Sequence, residues 1–167
     1  MRLLAAHGKR ILITSYTHAA VDNLMIKLIE NGVASMSAQR SPSLVRVGRK
    51  SACHPRVHPI LVSTIATANE THRGNHNGQD VDDLPSPDSL SHVISSAKIV
   101  GVSALTVPRS SLLIGQHFDV VIVDEAGQIS QPAILGALMA ADSFVLVGDH
   151  MQLPPLVNSE VAEKGGK

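Results

Sequence analysis

Two adjacent carboxylates follow an apolar run in the second half of the sequence. Residues 120–128 read VVIVDEAGQ, so Asp124 and Glu125 come directly after four apolar side chains. A buried strand that ends in acids brings them to the crevice outside the carboxyl ends of a parallel sheet, where α/β proteins bind ligands. There Asp124 can hold Mg²⁺, which prefers oxygen ligands, and Glu125 can orient or deprotonate a water molecule. An ordinary strand that ends at a polar turn accounts for the same residues.

A second apolar run ends in a Gly-Asp turn. Residues 145–155 read VLVGDHMQLPP, in which Gly148 and Asp149 form the turn and Gln152 projects from the loop that follows. A neutral amide can sense a terminal phosphate without trapping it as a lysine would. Alone, the segment is also explained by a plain turn before a proline stop. The spacing of DEAGQ, an intervening helix and then GDHMQLPP favours the functional interpretation.

A third polar group, TSYT at residues 14–17, lies between an apolar strand and a helix. The hydroxyl groups of Ser15 and Thr17, together with the free N–H groups of a helix N-terminus, can form a phosphate site. Helix capping by Thr17 is the simpler explanation, and it is favoured when this segment is considered alone.

The elements that position these groups are alternating strands and helices. The apolar runs show no alternation, which is typical of parallel strands covered on both faces. These runs cover residues 10–15, 98–104, 119–123 and 143–147, with a weaker candidate at 44–47. Helices are predicted from Thr17 to Asn31, from Ser86 and from Ser130, and residues 1–7 read as a helix end closed by Gly8. The order predicts an α/β fold with a parallel sheet flanked by helices.

The composition is that of one ordinary domain. The 167 residues carry 14 basic and 14 acidic side chains, and 44% are hydrophobic, which excludes wholesale disorder. Zero net charge gives no global attraction to nucleic acid or membrane. No apolar run reaches the roughly 18 residues of a membrane-spanning helix, so no membrane partner is expected. The single Cys53 excludes an internal disulfide framework.

Charge is unevenly distributed along the chain. Residues 31–69 contain basic but no acidic side chains, and this stretch is either a nucleic-acid contact or a solvated basic face. Its basic residues are Arg40, Arg46, Arg49, Lys50 and Arg56. Residues 69–88 are acidic, polar and rich in Gly and Asn, which predicts a flexible surface insertion. A zinc site is disfavoured because the spacing of the candidate ligands matches no standard structural site. Those candidates are Cys53, His54, His58, His72 and His76.

Three segments together resemble motifs Ia, II and III of superfamily 1 helicases of the nonsense-mediated-decay type, and most closely those of eukaryotic DNA replication helicase–nucleases. They read TSYTHAAVDNL, VDEAGQISQP and LVGDHMQLPPLV; LVRVGR with the following His54-Pro55, and IVGVSAL, resemble intervening segments. The resemblance covers most of the chain except about residues 56–96. It implies that residues 1–167 are an incomplete RecA-like P-loop NTPase domain. It further implies part of the ATPase core of a helicase that moves along single-stranded DNA and unwinds DNA with ATP.

The resemblance also implies roles for individual residues. Asp124 would bind the Mg²⁺ of Mg-ATP, and Glu125 would be the catalytic base for attack of water on the γ-phosphate. Gln128 would help to order the nucleotide site. Gly148 and Asp149 would form the turn that precedes Gln152, and Gln152 would couple the state of the γ-phosphate to the DNA-binding surface. Ser15, Thr17 and Ser103 would contact single-stranded DNA.

The same resemblance implies partners and a location. The chain would work with the remaining helicase and nuclease domains of a longer protein, in the nucleus and also in the mitochondrion. The family's iron–sulfur cluster would lie outside this chain, because a single cysteine cannot hold it. An RNA helicase of the same superfamily is disfavoured, since the motifs look more like those of the DNA branch.

One expected motif is missing from the sequence. No G-x-x-x-x-G-K-[ST] phosphate loop occurs, and Gly8-Lys9-Arg10 lacks both its upstream glycine and its final hydroxyl residue. We therefore expect a partial first motor domain that lacks the phosphate-loop strand and the second RecA-like domain, and that binds Mg-ATP negligibly by itself. The alternative is a non-catalytic fragment that retains only DNA or protein binding.

Overall fold

A parallel five-stranded sheet forms the centre of the protein. The computed structural model describes residues 2–33, 43–72, 84–149, 151 and 155. Within them the strands are β1 (Ile11–Ser15), β2 (Leu44–Arg46), β3 (Ile99–Ser103), β4 (Phe118–Val123) and β5 (Ala141–Leu146), in the spatial order β2-β3-β1-β4-β5. All four neighbouring pairs are parallel. The predicted α/β fold with a parallel sheet is thus confirmed.

Helices cover both faces of this sheet. The α-helices are α1 (Arg2–Ala6), α2 (His18–Glu30), α3 (Val62–His72), α4 (Pro87–Ser96) and α5 (Gln131–Leu138). Short 3-10 helices lie at Lys50–Ala52, Pro55–Ile60, Val107–Arg109 and Ala126–Gln128. None of the described helices is long and apolar enough to cross a membrane.

The alternation of side chains in the central strand divides the core into two layers. Ile11 and Ile13 of β1 pack with α1 and α2, whereas Leu12 between them packs with α3, α4 and α5 on the opposite face. Helix α2 lies so close to β3 that a Cβ on Gly101 would be 2.6 Å from the sulfur of Met25. The absence of a side chain at Gly101 therefore permits the close approach of α2, which carries the polar residues at its N-terminus.

The predicted helix ends are confirmed. Thr17 caps α2 by accepting a hydrogen bond from Ala20 N at 3.1 Å, and Ser86 caps α4 by accepting one from Ser89 N at 3.2 Å. Asn31 is the C-cap of α2. After α1, Gly8 adopts a φ of +76°, the left-handed conformation that glycine allows at low cost.

Strand β5 corrects one expectation. Its apolar run predicts a strand covered on both faces, yet five of its six residues are exposed, with Phe144 at 59% and Val145 at 46%. Among the described residues β5 pairs only with β4. The apolar run therefore predicts the strand correctly, but it does not predict whether another element packs on the strand's faces.

The prediction of a flexible insertion at residues 69–88 is wrong at both ends of that range. Helix α3 continues through His72, and α4 begins at Pro87, so both ends of the predicted flexible insertion are helical. Residues 73–83 lie outside the described residues. Helix α3 was not predicted because VSTIATANETH has too few apolar side chains to display a helical period.

Candidate functional site

The two adjacent acids lie where β4 ends. The backbone N–H of Asp124 still donates to Thr14 O of β1 at 2.9 Å, so the strand pairing continues to this residue. The next residue, Glu125, has a φ of +54° and is the one non-glycine residue with positive φ in the described parts of the chain. A left-handed conformation is unfavourable for residues with a Cβ. The chain therefore bends at Glu125 before the 3-10 helix Ala126–Gln128, which leaves the two acids at the carboxyl edge of the sheet.

The turn that carries these acids is fixed to the end of β5. Ala126 N donates to Val147 O at 2.8 Å, and Val147 N donates to Val123 O at 2.8 Å. A Cβ on Gly148 would be only 3.0 Å from Gly127 N, so a larger residue would push the two segments apart. The DEAGQ segment and the Gly148-Asp149 turn, which are separate in sequence, are thus in direct contact.

The carboxylate of Asp124 is available for a ligand. It is partly buried, and no described residue forms a hydrogen bond with it. Proteins usually bind Mg²⁺ through one or two carboxylates, and the other ligands are water and phosphate oxygens. A free carboxylate at a strand end suits this kind of site. Asp124 could therefore hold this ion.

The other predicted nucleotide-side residues are arranged around the same turn. Gln128 is partly buried in the 3-10 helix after Glu125, and its N–H donates to Glu125 O at 2.9 Å. Asp149 is exposed, and its Oδ1 accepts a hydrogen bond from Met151 N at 2.9 Å. Gln152 lies outside the described residues.

Ser15 has a different position from the one expected. Its side chain is fully buried at the end of β1, and its Oγ donates to Glu125 Oε2 at 3.2 Å. The expectation that Ser15 contacts DNA is corrected, because the hydroxyl group faces the carboxylate across the strand pair instead of the solvent. Ser15 thereby links the strand before α2 to the acidic turn after β4.

Thr17 and Ser103 are brought together at the rim of an open depression of about 560 Å³. The depression lies beside the carboxyl ends of β1 and β3, between the start of α2 and the loop after β3. Its lining also includes Tyr16, His18, Thr106 and Arg109. Tyr16 belongs to the TSYT group identified in the sequence, whereas His18, Thr106 and Arg109 were missed, although Thr106 and Arg109 occur in the segment that directly follows the β3 run.

Hydroxyl and basic groups dominate the polar lining of this depression. Thr17 uses its side chain to cap α2, which leaves further N–H groups of the first helical turn without helical partners. Ser103 Oγ and Thr106 Oγ1 lie 2.7 Å apart as a hydrogen-bonded pair. Arg109 is exposed, and no described acid lines the depression. These are the groups expected at a site for an anionic chain.

A buried ion pair lies beneath the start of α2. Arg46 Nε is 2.7 Å from Asp22 Oδ1, and the two side chains are 0% and 3% exposed. The interpretation of Arg46 as a nucleic-acid contact is therefore wrong, since its charge is neutralised inside the fold. Arg49 and Lys50 are exposed, whereas Arg56 forms a surface pair with Glu30 at 2.9 Å.

The candidate zinc ligands do not assemble in the described part of the chain, where no cluster of three metal-binding side chains occurs. Cys53 is buried, and burial raises the pKa of its thiol, which disfavours the thiolate that zinc requires. His58 Nε2 lies 3.1 Å from Lys50 O and 3.2 Å from Cys53 O, so it donates to carbonyl groups. His76 lies outside the described residues.

The sequence matches proteins of known activity along nearly its full length. The DNA replication ATP-dependent helicase/nuclease DNA2 of Schizosaccharomyces pombe is 40% identical over 166 residues, and that of Xenopus laevis is 38% identical over 166 residues. The helicase/nuclease JHS1 of Arabidopsis thaliana is 36% identical over 166 residues. Each alignment covers 99% of this chain but only 10% to 14% of the relative.

A family model described as an AAA domain matches residues 2–84 and 82–160. The matched ranges include the turn at Asp124 and Glu125, the Gly148 contact and both walls of the depression. The resemblance to superfamily 1 helicases, inferred from three short segments, is therefore confirmed over almost the entire sequence. The chain belongs to the AAA domain family and is similar to the helicase/nucleases of DNA replication.

Proposed function

We propose that this chain forms part of the ATPase core of an ATP-dependent helicase that moves along single-stranded DNA. One observation carries the proposal: the acidic turn at Asp124 and Glu125 and the depression at Thr17 and Ser103 share one edge of the sheet. A partly buried hydrogen bond to Glu125 comes from Ser15, the residue directly before Tyr16 of the depression, and so joins the two sides. Such an arrangement lets hydrolysis on one side affect a bound strand on the other.

On the acidic side, Asp124 would hold Mg²⁺ and Glu125 would accept a proton from water. The ion, when bound with ATP, neutralises negative charge on the phosphate groups. The left-handed turn and the contact of Gly148 with Gly127 keep the two carboxylates in a fixed relation. This rigidity supports catalysis because a preorganised group need not reorganise when charge develops.

On the depression side, the chain would bind the phosphate backbone of single-stranded DNA. The α2 N-terminus and the hydroxyl groups of Thr17, Ser103 and Thr106 would supply hydrogen bonds, and Arg109 would supply a charge. Tyr16, which is 39% exposed at the rim, can stack against one base. The names of the relatives concern DNA replication, which supports DNA as the substrate and the nucleus as the place of action.

The remaining machinery would be supplied by the rest of a longer protein, including a phosphate loop, a second RecA-like domain and a nuclease domain with its iron–sulfur cluster. We expect the 167-residue chain alone to bind Mg-ATP negligibly, because a sequence without G-x-x-x-x-G-K-[ST] lacks the amides and the lysine that cradle the phosphates. Isothermal calorimetry checks this expectation. Clear saturation at micromolar ATP would contradict it. A chain that binds DNA but supports no ATP hydrolysis when it is joined to the remaining motor domains would favour the non-catalytic alternative.

The catalytic role is tested with Glu125→Gln in a protein that joins this chain to the remaining motor domains. We expect ATP hydrolysis in the presence of single-stranded DNA to fall about 10²–10⁴-fold, the usual contribution of a general base, while DNA binding is retained. Asp142→Asn is the matched control, because Asp142 is an exposed acid at the opposite end of β5. Undiminished hydrolysis by Glu125→Gln would refute the assignment of the base.

A further inference from the structure

The ring of His18 is held in one orientation by a buried cation. His18 is the first residue of α2 and lines the depression beside Thr17. Its Nδ1 lies 3.1 Å from Nη2 of Arg46, which is completely buried. From this contact we propose that His18 is a neutral hydrogen-bond donor to the nucleic-acid strand in the depression. The inference rests on the function proposed for the depression and adds a residue to it.

The contact with Arg46 determines which ring nitrogen of His18 carries the proton. A guanidinium group has only donors, so Nδ1 of His18 must accept. An imidazole that accepts at Nδ1 is neutral and carries its proton on Nε2. A second proton at Nδ1 would put two donors and two positive charges 3.1 Å apart. His18 therefore offers an N–H group without a charge.

Arg46 is itself immobilised, so it fixes the ring firmly. Its Nε donates to Asp22 Oδ1 at 2.7 Å and its Nη1 donates to Val47 O at 2.6 Å. The second oxygen of Asp22 accepts a hydrogen bond from His54 N at 2.6 Å. The network joins α2, β2 and the segment before the 3-10 helix Pro55–Ile60. A donor supported in this way loses little conformational freedom when it binds a ligand.

The second ring nitrogen of His18, a residue that lines the depression, is left without a partner among the described residues. With Nδ1 turned toward Arg46, Nε2 is the polar atom that remains, and no described residue forms a hydrogen bond with it. Arg109 lies in the same depression and carries a full charge. The two residues should thus contribute differently to binding: Arg109 through displaced counterions and His18 through a directional hydrogen bond.

This difference can be measured by the anisotropy of a fluorescent oligo-dT at several salt concentrations, without nucleotide, with the protein that contains the chain. We expect His18→Ala to weaken binding about tenfold, since hydrogen bonds to charged groups are the stronger ones, with an unchanged dependence of log Kd on log salt. Arg109→Ala should lower the magnitude of that slope by about one. His18→Gln, which keeps an N–H donor, should restore part of the affinity.

The outcomes separate this inference from the proposed function. If Arg109→Ala and Thr17→Ala weaken binding while His18→Ala does not, the role of His18 is refuted and the depression stands as the DNA site. A reduced salt slope for His18→Ala would also refute it, because the residue would then act as a cation. If none of the three variants changes Kd, the depression is not the DNA site and the proposed function fails there. Circular dichroism melting checks whether the His18 variants remain folded.

Discussion

The two edge strands of the sheet differ in how they are covered. Strand β2 is short, and all three of its residues are buried, whereas five of the six residues of β5 are exposed. Beyond β2 lies the 3-10 helix Pro55–Ile60, after which Leu61 forms a parallel bridge to Arg46. In the described part of the chain, β5 has no partner on its outer side. An edge position therefore does not decide exposure; the segments placed beyond the edge decide it.

The two sides of the sheet also differ in where their ion pairs lie. On the β2 side, Arg46 and Asp22 are removed from water, and their hydrogen bonds tie together α2, β2 and the segment before the 3-10 helix Pro55–Ile60, so the ion pair fixes structure. On the side of β4 and β5, Lys9 and Asp119 pair at the surface at 2.8 Å. Buried pairs are costly to break, and exposed pairs are worth little. We expect the two sides to respond to mutation very unequally.

The largest effect should follow from Arg46→Met. Removal of the guanidinium leaves Asp22 charged and buried without its partner, which costs about 3–5 kcal/mol of unfolding free energy. Arg56→Met is the matched control, because Arg56 pairs with Glu30 at the surface with side chains 55% and 50% exposed. The control should cost less than about 1 kcal/mol. Urea unfolding measures both, and equal losses would remove the distinction between the two kinds of pair.

A smaller contrast is expected between two valines. Val102 of β3 is fully buried, and Val145 of β5 is 46% exposed. Val102→Ala should cost about 2 kcal/mol, from lost burial of two methyl groups and the cavity left behind, whereas Val145→Ala should cost about 0.5 kcal/mol or less. The same urea titration compares them. If Val145→Ala proves as costly as Val102→Ala, another element covers β5 in solution.

The surface pair of Lys9 and Asp119 should give a pH-dependent change in stability that is smaller still. Hydrogen bonds from Lys9 and from Arg10 N hold the pKa of Asp119 below its usual value. The contribution of Asp119 to stability is therefore present above the pKa that this carboxyl has in the unfolded chain, and it is lost as pH falls through its lower pKa in the folded protein. The pKa of Lys9 is raised, so its contribution is lost when pH rises through the folded pKa.

Asp119→Asn tests this dependence. The variant should lose a little stability at neutral pH and should lack the Asp119 part of the decline in acid. Melting temperatures recorded from acidic to neutral pH, with Asp88→Asn as an exposed acid outside the pair, give the comparison. Parallel curves for wild type and Asp119→Asn would show that the surface pair contributes nothing.

The smallest change in stability should come from Val145→Lys, because the side chain is already half exposed. The substitution should nevertheless reduce self-association, since a charge on an exposed apolar edge strand opposes pairing with other chains. Sedimentation velocity at increasing concentration measures this effect. Thr64→Lys, at an exposed position of α3, is the control for the added charge.

Local sequence patterns predict the structural features that are set by residues close together along the chain. The strands at β1, β3 and β4 and the caps Thr17 and Ser86 follow from apolar runs and short-range hydrogen bonds. The acidic turn was located correctly because its acids follow directly from a buried strand.

The features that were missed depend on distant partners. Arg46 reads as a surface cation because its partner Asp22 is 24 positions away. Ser15 reads as a helix-start hydroxyl, whereas its hydrogen bond goes to Glu125, 110 positions away. The exposure of β5 was missed for the converse reason, since an apolar run does not reveal whether another segment covers it.

Glu125 has a backbone conformation that glycine would adopt more readily. Replacing it with glycine should relax the turn by on the order of 1 kcal/mol, but it would also leave the buried Ser15 hydroxyl without its acceptor, at a cost of about 1–3 kcal/mol. Glycine would therefore stabilise the turn only together with Ser15→Ala, and the pair of changes removes the carboxylate. A directed-evolution screen that scores only heat resistance would reach folded, inactive variants here through two substitutions, and a useful screen has to retain an activity filter.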